Sequence, residues 1–286
     1  MIFACVGGLN MDVTAQSREQ PLMHDSNPGV IRFSPGGVGR NIAVGLRLAG
    51  EEVRLIAPVT RDLSGLALRK DCEQRGIDLS LAVEYGGNAS GYVSLHTPDG
   101  DMLAAVHDMA AMDALTPEAI RRRMKAINAC GGCAADANLS PETLKTLAGE
   151  ITVPLIADPV SVYKCGRLME ILPRLAAIKP NLMEAAAMTG ETDPCAAAAA
   201  LLKKGVKRVI LSLGSDGVYA ADAEGGIFLR PDKIYTCQTT GAGDTLCAGI
   251  AAGAARGRNA AACARLGMEL VDRLLSARLN GQPGSV

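Results

Sequence analysis

Short apolar runs alternate with amphipathic or Ala-rich stretches along most of the chain, and glycines or prolines punctuate the joins. Ile2–Val6 reads as a strand ending in Gly7-Gly8, and Asn41–Leu48 reads as a helix that stops at Gly50. The pattern continues with strand Val53–Val59, helix Ser64–Arg75 ending at Gly76, and a strand near Leu81–Glu84. Farther on, Val153–Ala157 runs into Asp158-Pro159, and Ala176–Ile178 runs into Lys179-Pro180-Asn181. Helix Cys195–Lys204 closes at Gly205 before strand Arg208–Leu213, and a strand is expected over Ile234–Cys237. Helices are expected at Thr245–Ala255 and Ala260–Leu275. This rhythm predicts an α/β fold with a parallel sheet sandwiched by helices, built as one domain over residues 1–286.

Two stretches break the rhythm. Thr14–Phe33 is polar, carries Pro21, Pro28 and Gly29, and has no helical period. Tyr92–His96 and Met102–His107 read as two strands joined by Thr97-Pro98-Asp99-Gly100-Asp101, a turn of Pro/Asp/Gly type. Strands inserted into an α/β sheet must lie outside it, so the inserts at about 12–33 and 88–107 are expected to form a small β lid over a site.

Composition narrows the function. The 286 residues are 48% hydrophobic and only 3% aromatic, with no Trp, so the core must be aliphatic and Ala-rich. A formal charge of −1 with mixed signs, and no basic tract, argues against nucleic acid as a partner. No apolar run approaches the roughly 18 residues of a spanning helix, and the first residues lack a basic n-region; a cytoplasmic location with no membrane partner is expected. Nine cysteines at irregular spacing read as reduced and buried, Cys130-Gly131-Gly132-Cys133 included, since no second CxxC accompanies it.

Four segments carry candidate chemistry. Thr239-Thr240-Gly241-Ala242-Gly243-Asp244 opens a small-residue helix, where converging N–H groups and the helix dipole favour an anion. An acid there is either an ordinary first-turn residue, stabilised by the dipole, or a base beside a transient phosphoryl group. Pro35-Gly36-Gly37-Val38-Gly39-Arg40-Asn41 also opens a helix and is neither G-x-G-x-x-G nor a Walker A loop. It serves a tight turn or a ligand, and Asn10 and Asp12 after the first strand suit sugar hydroxyls or a turn. Asn181 and Glu184 have a spacing that favours a capping box, and could instead organise Mg²⁺ through water. Ser212-Leu213-Gly214-Ser215-Asp216-Gly217 ends a strand in a turn that could pass a nucleotide along the sheet edge.

Taken in this order from about Cys5 to Ala255, the segments resemble the PfkB (ribokinase-like) family of sugar and nucleoside kinases. The resemblance implies Asp244 as catalytic base, with an anion hole at Gly241, Ala242 and Gly243. It places Asn10, Asp12, Gly36, Gly37 and Asn41 on the sugar, and Asn181, Ser212, Gly214 and Gly217 on ATP, with Glu184 reaching Mg²⁺ through water. Within the family, Asp25-Ser26-Asn27-Pro28-Gly29, Phe33–Ala43, Asp158–Ser161 with Lys164-Cys165, and Asp108-Met109 look like the bacterial pseudouridine-phosphorylating members. That likeness implies the 5′-hydroxyl of pseudouridine as acceptor. Ribose or another nucleoside is the alternative, and a non-catalytic sugar or nucleoside sensor is the rival from another class. His107 and Asp108 could read the base or face solvent, and Asn138 is a further sugar-side candidate. Gln238 stands where many members carry an acid linked to a monovalent cation, and the chain beyond Ala260–Leu275 leaves little for adenine-side elements. A homodimer through the lid strands is a further implication of the family.

Overall fold

The computed structural model describes residues 1–235 and 239–280. Its main sheet has nine strands. From one edge they run Gly225–Leu229, Val218–Asp222, Arg208–Ser212, Leu175–Ile178, Leu155–Asp158, Gly132–Asp136, Ile2–Val6, Glu52–Ile56 and Ile77–Asp78. The seven strands from Arg208–Ser212 onward pair in parallel. Gly132–Asp136 and Leu155–Asp158 are buried at every position, the continuous burial expected of strands covered on both faces. One apolar core lies under the helices Val38–Leu48, Ala242–Ala255 and Ala260–Leu279. The other lies under Pro141–Glu150 and the segments around Leu168–Leu172.

Two edge strands depart from the expected all-parallel sheet. Val218–Asp222 and Gly225–Leu229 are antiparallel. The Gly214–Gly217 turn reverses the chain, with Gly217 at φ 94° and no room for a Cβ against the Leu229 carbonyl. Farther along the chain, Ile234 and Tyr235 are irregular rather than extended, and the rest of the expected strand, with Gln238, lies outside the described residues.

The polar stretch Thr14–Phe33 is not irregular throughout. Asn10–Ser17 and Gly29–Gly36 form a long antiparallel hairpin, and Ser90–His96 joins in parallel with Met102–Asp108 outside it, giving a separate four-stranded sheet. Cross-strand partners share a face. One face therefore carries Asp12, Ser34, Tyr92 and His107, and the other carries Val13, Phe33, Val93 and Val106.

Close helix packing sets the geometry of the site. A Cβ on Gly45 would lie 3.2 Å from the Thr245 Cα and 2.6 Å from the Ala248 Cβ. Only a glycine lets Val38–Leu48 approach Ala242–Ala255 so tightly. Asn41, one turn before Gly45, is thereby brought to Asp244, next to Thr245.

Candidate active site

The carboxyl ends of the parallel strands all open on one edge, as ligand sites in open α/β sheets do. From this edge come Gly7-Gly8, Asp136, Asp158, Lys179 and Ser212. The helix Ala242–Ala255 points its N-terminus at the same place, entered through Gly241 in the left-handed region at φ 80°. Its starting N–H groups lack intrahelical acceptors. Ala242 N–H, one of the anticipated anion-hole donors, already donates to the Thr239 carbonyl at 2.9 Å. Gly243 lies beside Lys179, whose Nζ would sit 3.3 Å from a Cβ there.

Asp244 is half-buried, and its Oδ2 accepts a hydrogen bond from Asn41 Nδ2 at 2.8 Å. Burial and the neighbouring Asp158 and Asp136 push its carboxyl up to about 7, against the opposing pull of Asn41 and Lys179. Asp136 is fully buried and is pushed up to about 6 by that burial, although its oxygens accept N–H bonds from Gly8 at 2.8 Å and Asn138 at 2.9 Å. Lys179 Nζ pairs with Asp158 Oδ2 at 3.1 Å, both side chains buried. Burial opposes the Lys179 charge, but Asp158 and the surrounding acids outweigh it and raise the ammonium above its ordinary value. The pair is off-axis: among the described residues Asp158 Oδ2 finds no aligned hydrogen-bond donor, while Oδ1 accepts from Val160 N–H at 2.8 Å. Val160 is held at φ 69°, with Ser161 N–H closing on the Pro159 carbonyl at 2.7 Å. That is a γ-turn with a β-branched residue at its centre, the kind of local strain that persists only where surrounding contacts enforce it.

The sugar-side candidates converge at the base of the lid. Asn10 Nδ2 donates to Asp12 Oδ1 at 2.6 Å, and burial raises the Asp12 carboxyl, with Asn10 and Arg40 opposing. A Cβ on Gly36 would strike Asp12 Oδ2 at 2.2 Å. Gly37, at φ 101°, packs so closely that a Cβ would fall 2.4 Å from the Gly8 carbonyl. Asn138 Oδ1 accepts from Lys164 Nζ at 2.6 Å, and its Nδ2 lies 3.0 Å from where a Gly8 Cβ would stand. His107 is opposite Tyr92 on the face of Asp12, whereas Asp108 is opposite Gly91 and accepts the Ala110 N–H at 2.9 Å. The structure thus puts His107, and not Asp108, on the Asp12 face.

On the far side of Asp244 lies a cavity of about 730 Å³ lined in part by Ser212, Gly214, Gly217, Ala242 and Gly243. Its apolar wall includes Val218, Leu229, Met268 and Leu275, the last two from the Ala260–Leu279 helix. Asn181 borders this strip through a bridge to Ser212. Asn181 and Glu184 form the capping box: Glu184 N–H donates to Asn181 Oδ1 at 2.8 Å, and Asn181 N–H donates to Glu184 Oε2 at 2.9 Å. Among the described residues no group of three or more His, Cys, Asp or Glu is placed to hold a metal ion. Cys130 and Cys133 are buried free thiols. No described helix is long and apolar enough to cross a membrane.

Lys179, Asp158, Asp136 and Arg40 were not singled out for chemistry by the sequence. The available signal was a charged residue at the end of a fully apolar strand, as in Ile178-Lys179 and Ala157-Asp158, since such ends meet at the ligand edge.

The comparisons with known proteins place the chain in a class, the sugar or nucleoside kinases. The family model for pfkB family carbohydrate kinases matches residues 3–270, and the chain belongs to that family. It is a phosphotransferase acting on an alcohol group. A pseudouridine kinase of Escherichia coli (strain K12) is 38% identical over 255 residues, covering 86% of this chain and 81% of its own. An uncharacterized sugar kinase of the same organism is 32% identical, covering 86% and 70%. Among solved structures, a carbohydrate kinase from Agrobacterium tumefaciens superposes with a TM-score of 0.83 at 26% identity, covering 100% of this chain and 92% of its own. A ribokinase from Thermotoga maritima gives 0.86 at 21% identity, covering 96% and 93%, a likeness of fold.

Proposed function

We propose that this chain transfers the γ-phosphoryl group of ATP to the 5′-hydroxyl of pseudouridine, with Asp244 as the base. The observation that carries the reading is the Asp244 carboxyl, held by Asn41 at a helix start between the polar base of the lid and the 730 Å³ cavity. A carboxyl near 7 is matched to proton transfer at neutral pH. In the step proposed, the nucleoside O5′ forms a bond to the γ-phosphorus as the bond to the bridging β–γ oxygen breaks. The hydroxyl proton passes to Asp244, and ADP leaves with the electron pair. The helix-start N–H groups and the Lys179 ammonium face the charge on the transferring group.

ATP fits the cavity, its phosphates toward Gly243 and its base against the apolar wall of Val218, Leu229, Met268 and Leu275. Mg²⁺ would arrive with the nucleotide, neutralising phosphate charge. The described residues offer it no cage, so the fit is to a largely hydrated ion. Glu184, with Oε2 committed to the capping box, would reach that ion through water, and Asn181 would orient Glu184.

The acceptor is drawn from the relatives named pseudouridine kinase, from Escherichia coli and from Arabidopsis thaliana at 31% identity. Asn10, Asp12, Gly36, Gly37, Asn41 and Asn138 would hold the ribose, with His107 toward the base. The lid would close over the nucleoside and exclude water, limiting ATP hydrolysis. Its other face leaves Phe33 70% and Val106 73% exposed, an apolar surface suited to a second copy of the chain. A panel of pseudouridine, uridine, inosine and ribose with ATP and Mg²⁺ tests the reading. Pseudouridine should turn over fastest; strong turnover of ribose with none of pseudouridine overturns the acceptor, and no turnover of any overturns the kinase in favour of a sensor.

A further inference from the structure

Arg40 is fully buried, and its environment is more specific than packing requires. Its Nε and Nη2 donate to Asp71 Oδ2 at 3.1 and 2.6 Å, and Asp71 is held in turn by Arg75 at 2.9 Å. The remaining arm, Nη1, donates to Asn41 Oδ1 at 3.0 Å. A guanidinium has donors only, so it can face the oxygen of the Asn41 amide and never the nitrogen. The amide nitrogen is therefore turned the other way, onto Asp244 Oδ2. Were the amide to flip, its oxygen would face the carboxylate, and contact would be restored only by a protonated Asp244.

We infer that Arg40, anchored by Asp71, is a positioning residue that fixes the orientation of the Asn41 amide and so keeps Asp244 in its proton-accepting form. The inference rests on the reading of Asp244 as base. Among the described residues, the titratable groups facing Asp244 are Asp158 and Asp136 from neighbouring strand ends, Lys179 from a third, and Cys247 from its own helix. Asp158 and Asp136 disfavour the ionised carboxyl, so the donor from Asn41 joins Lys179 as one of the two contacts opposing them. Asp71 sits on the helix Leu63–Gln74, which packs beside the lid strands Asn10–Ser17 and Gly29–Gly36, so the relay ties the base to that helix.

The test follows the Asp244 carboxyl directly, by ¹³C NMR titration of Asp-labelled full-length protein, with its resonance assigned by its loss in Asp244→Asn. In Arg40→Met the midpoint should rise by about one pH unit, and kcat at pH 7 should fall about five-fold and recover by pH 9. Arg40→Lys keeps a charge for Asp71 but cannot also span to Asn41, so it should shift the midpoint the same way. It serves if the Met variant does not fold. A purely structural role would lower the melting temperature of either variant and leave the midpoint where it is, and an unmoved midpoint in a folded variant overturns the inference. Activity of Asp244→Asn reads separately: retained turnover there would sink the base assignment while leaving the relay result standing.

Discussion

Replacing Asp244 by Asn should make the protein more stable and nearly inactive, with the stability gain appearing only above acidic pH. The folded carboxyl titrates near 7 against an ordinary 3.8, so the folded state holds this proton more tightly than the unfolded chain. Below about pH 4 the group is protonated in both states and costs nothing. As pH rises from about 4 to about 7 the unfolded carboxyl ionises first and folding loses stability; above about 7 the loss is complete and constant. Three units at ~1.4 kcal/mol each give about 4 kcal/mol, and solvent relaxation around a half-buried group brings the expected gain for Asn to about 2–4 kcal/mol. The isosteric amide can still present an oxygen to Asn41. Urea unfolding of both proteins at pH 4 and pH 8 measures the difference, which should be near zero at the first and at its full value at the second. In the same samples kcat should fall by about 10²–10⁴-fold, the usual span for removing a general base. An equal gain at both pH values, or a loss at pH 8, refutes the argument that burial among acids sets the state of this carboxyl.

Lys179→Met should leave Asp158 buried without its cation and lower stability by about 3–5 kcal/mol near neutral pH, read by denaturant unfolding. It should also depress kcat by about 10²-fold or more, with the nucleoside KM little changed, if the ammonium faces the transferring phosphoryl group. Gly37→Ala meets both a left-handed backbone and the Gly8 carbonyl, so a melting scan should show a loss of several kcal/mol, on the order of 3.

Much of this architecture was legible because buried parallel strands are short continuous apolar runs. Ile2–Val6, Leu155–Asp158 and Arg208–Ser212 stand out for that reason, and the glycine loops at Gly36-Gly37 and Gly241–Gly243 mark where backbone must come close to something else. The lid hairpin was half hidden. Val13, Ala15, Ile31 and Phe33 alternate with polar residues at a period of two, and Pro21, Pro28 and Gly29 mask that alternation as a loop. Asp158 ends its strand and Lys179 directly follows its own, so they read as boundaries, and only the sheet brings them to one ion pair. Arg40 could not be separated from its loop without knowing that Asp71, 31 residues away, lies under it. The cavity wall from Met268 and Leu275 depends on how the last helix packs, which periodicity does not reveal. Asn181 and Glu184 show the opposite case, a capping spacing visible in sequence and present in the structure.

The measurement that meets the central claim most directly is the position of the phosphate on the product. Protein incubated with pseudouridine, ATP and Mg²⁺ should yield ADP and a single nucleotide whose ³¹P signal couples to the two H5′ protons, at a rate abolished in Asp244→Asn. Phosphate on another hydroxyl, or ADP released without any nucleotide formed, would contradict the account.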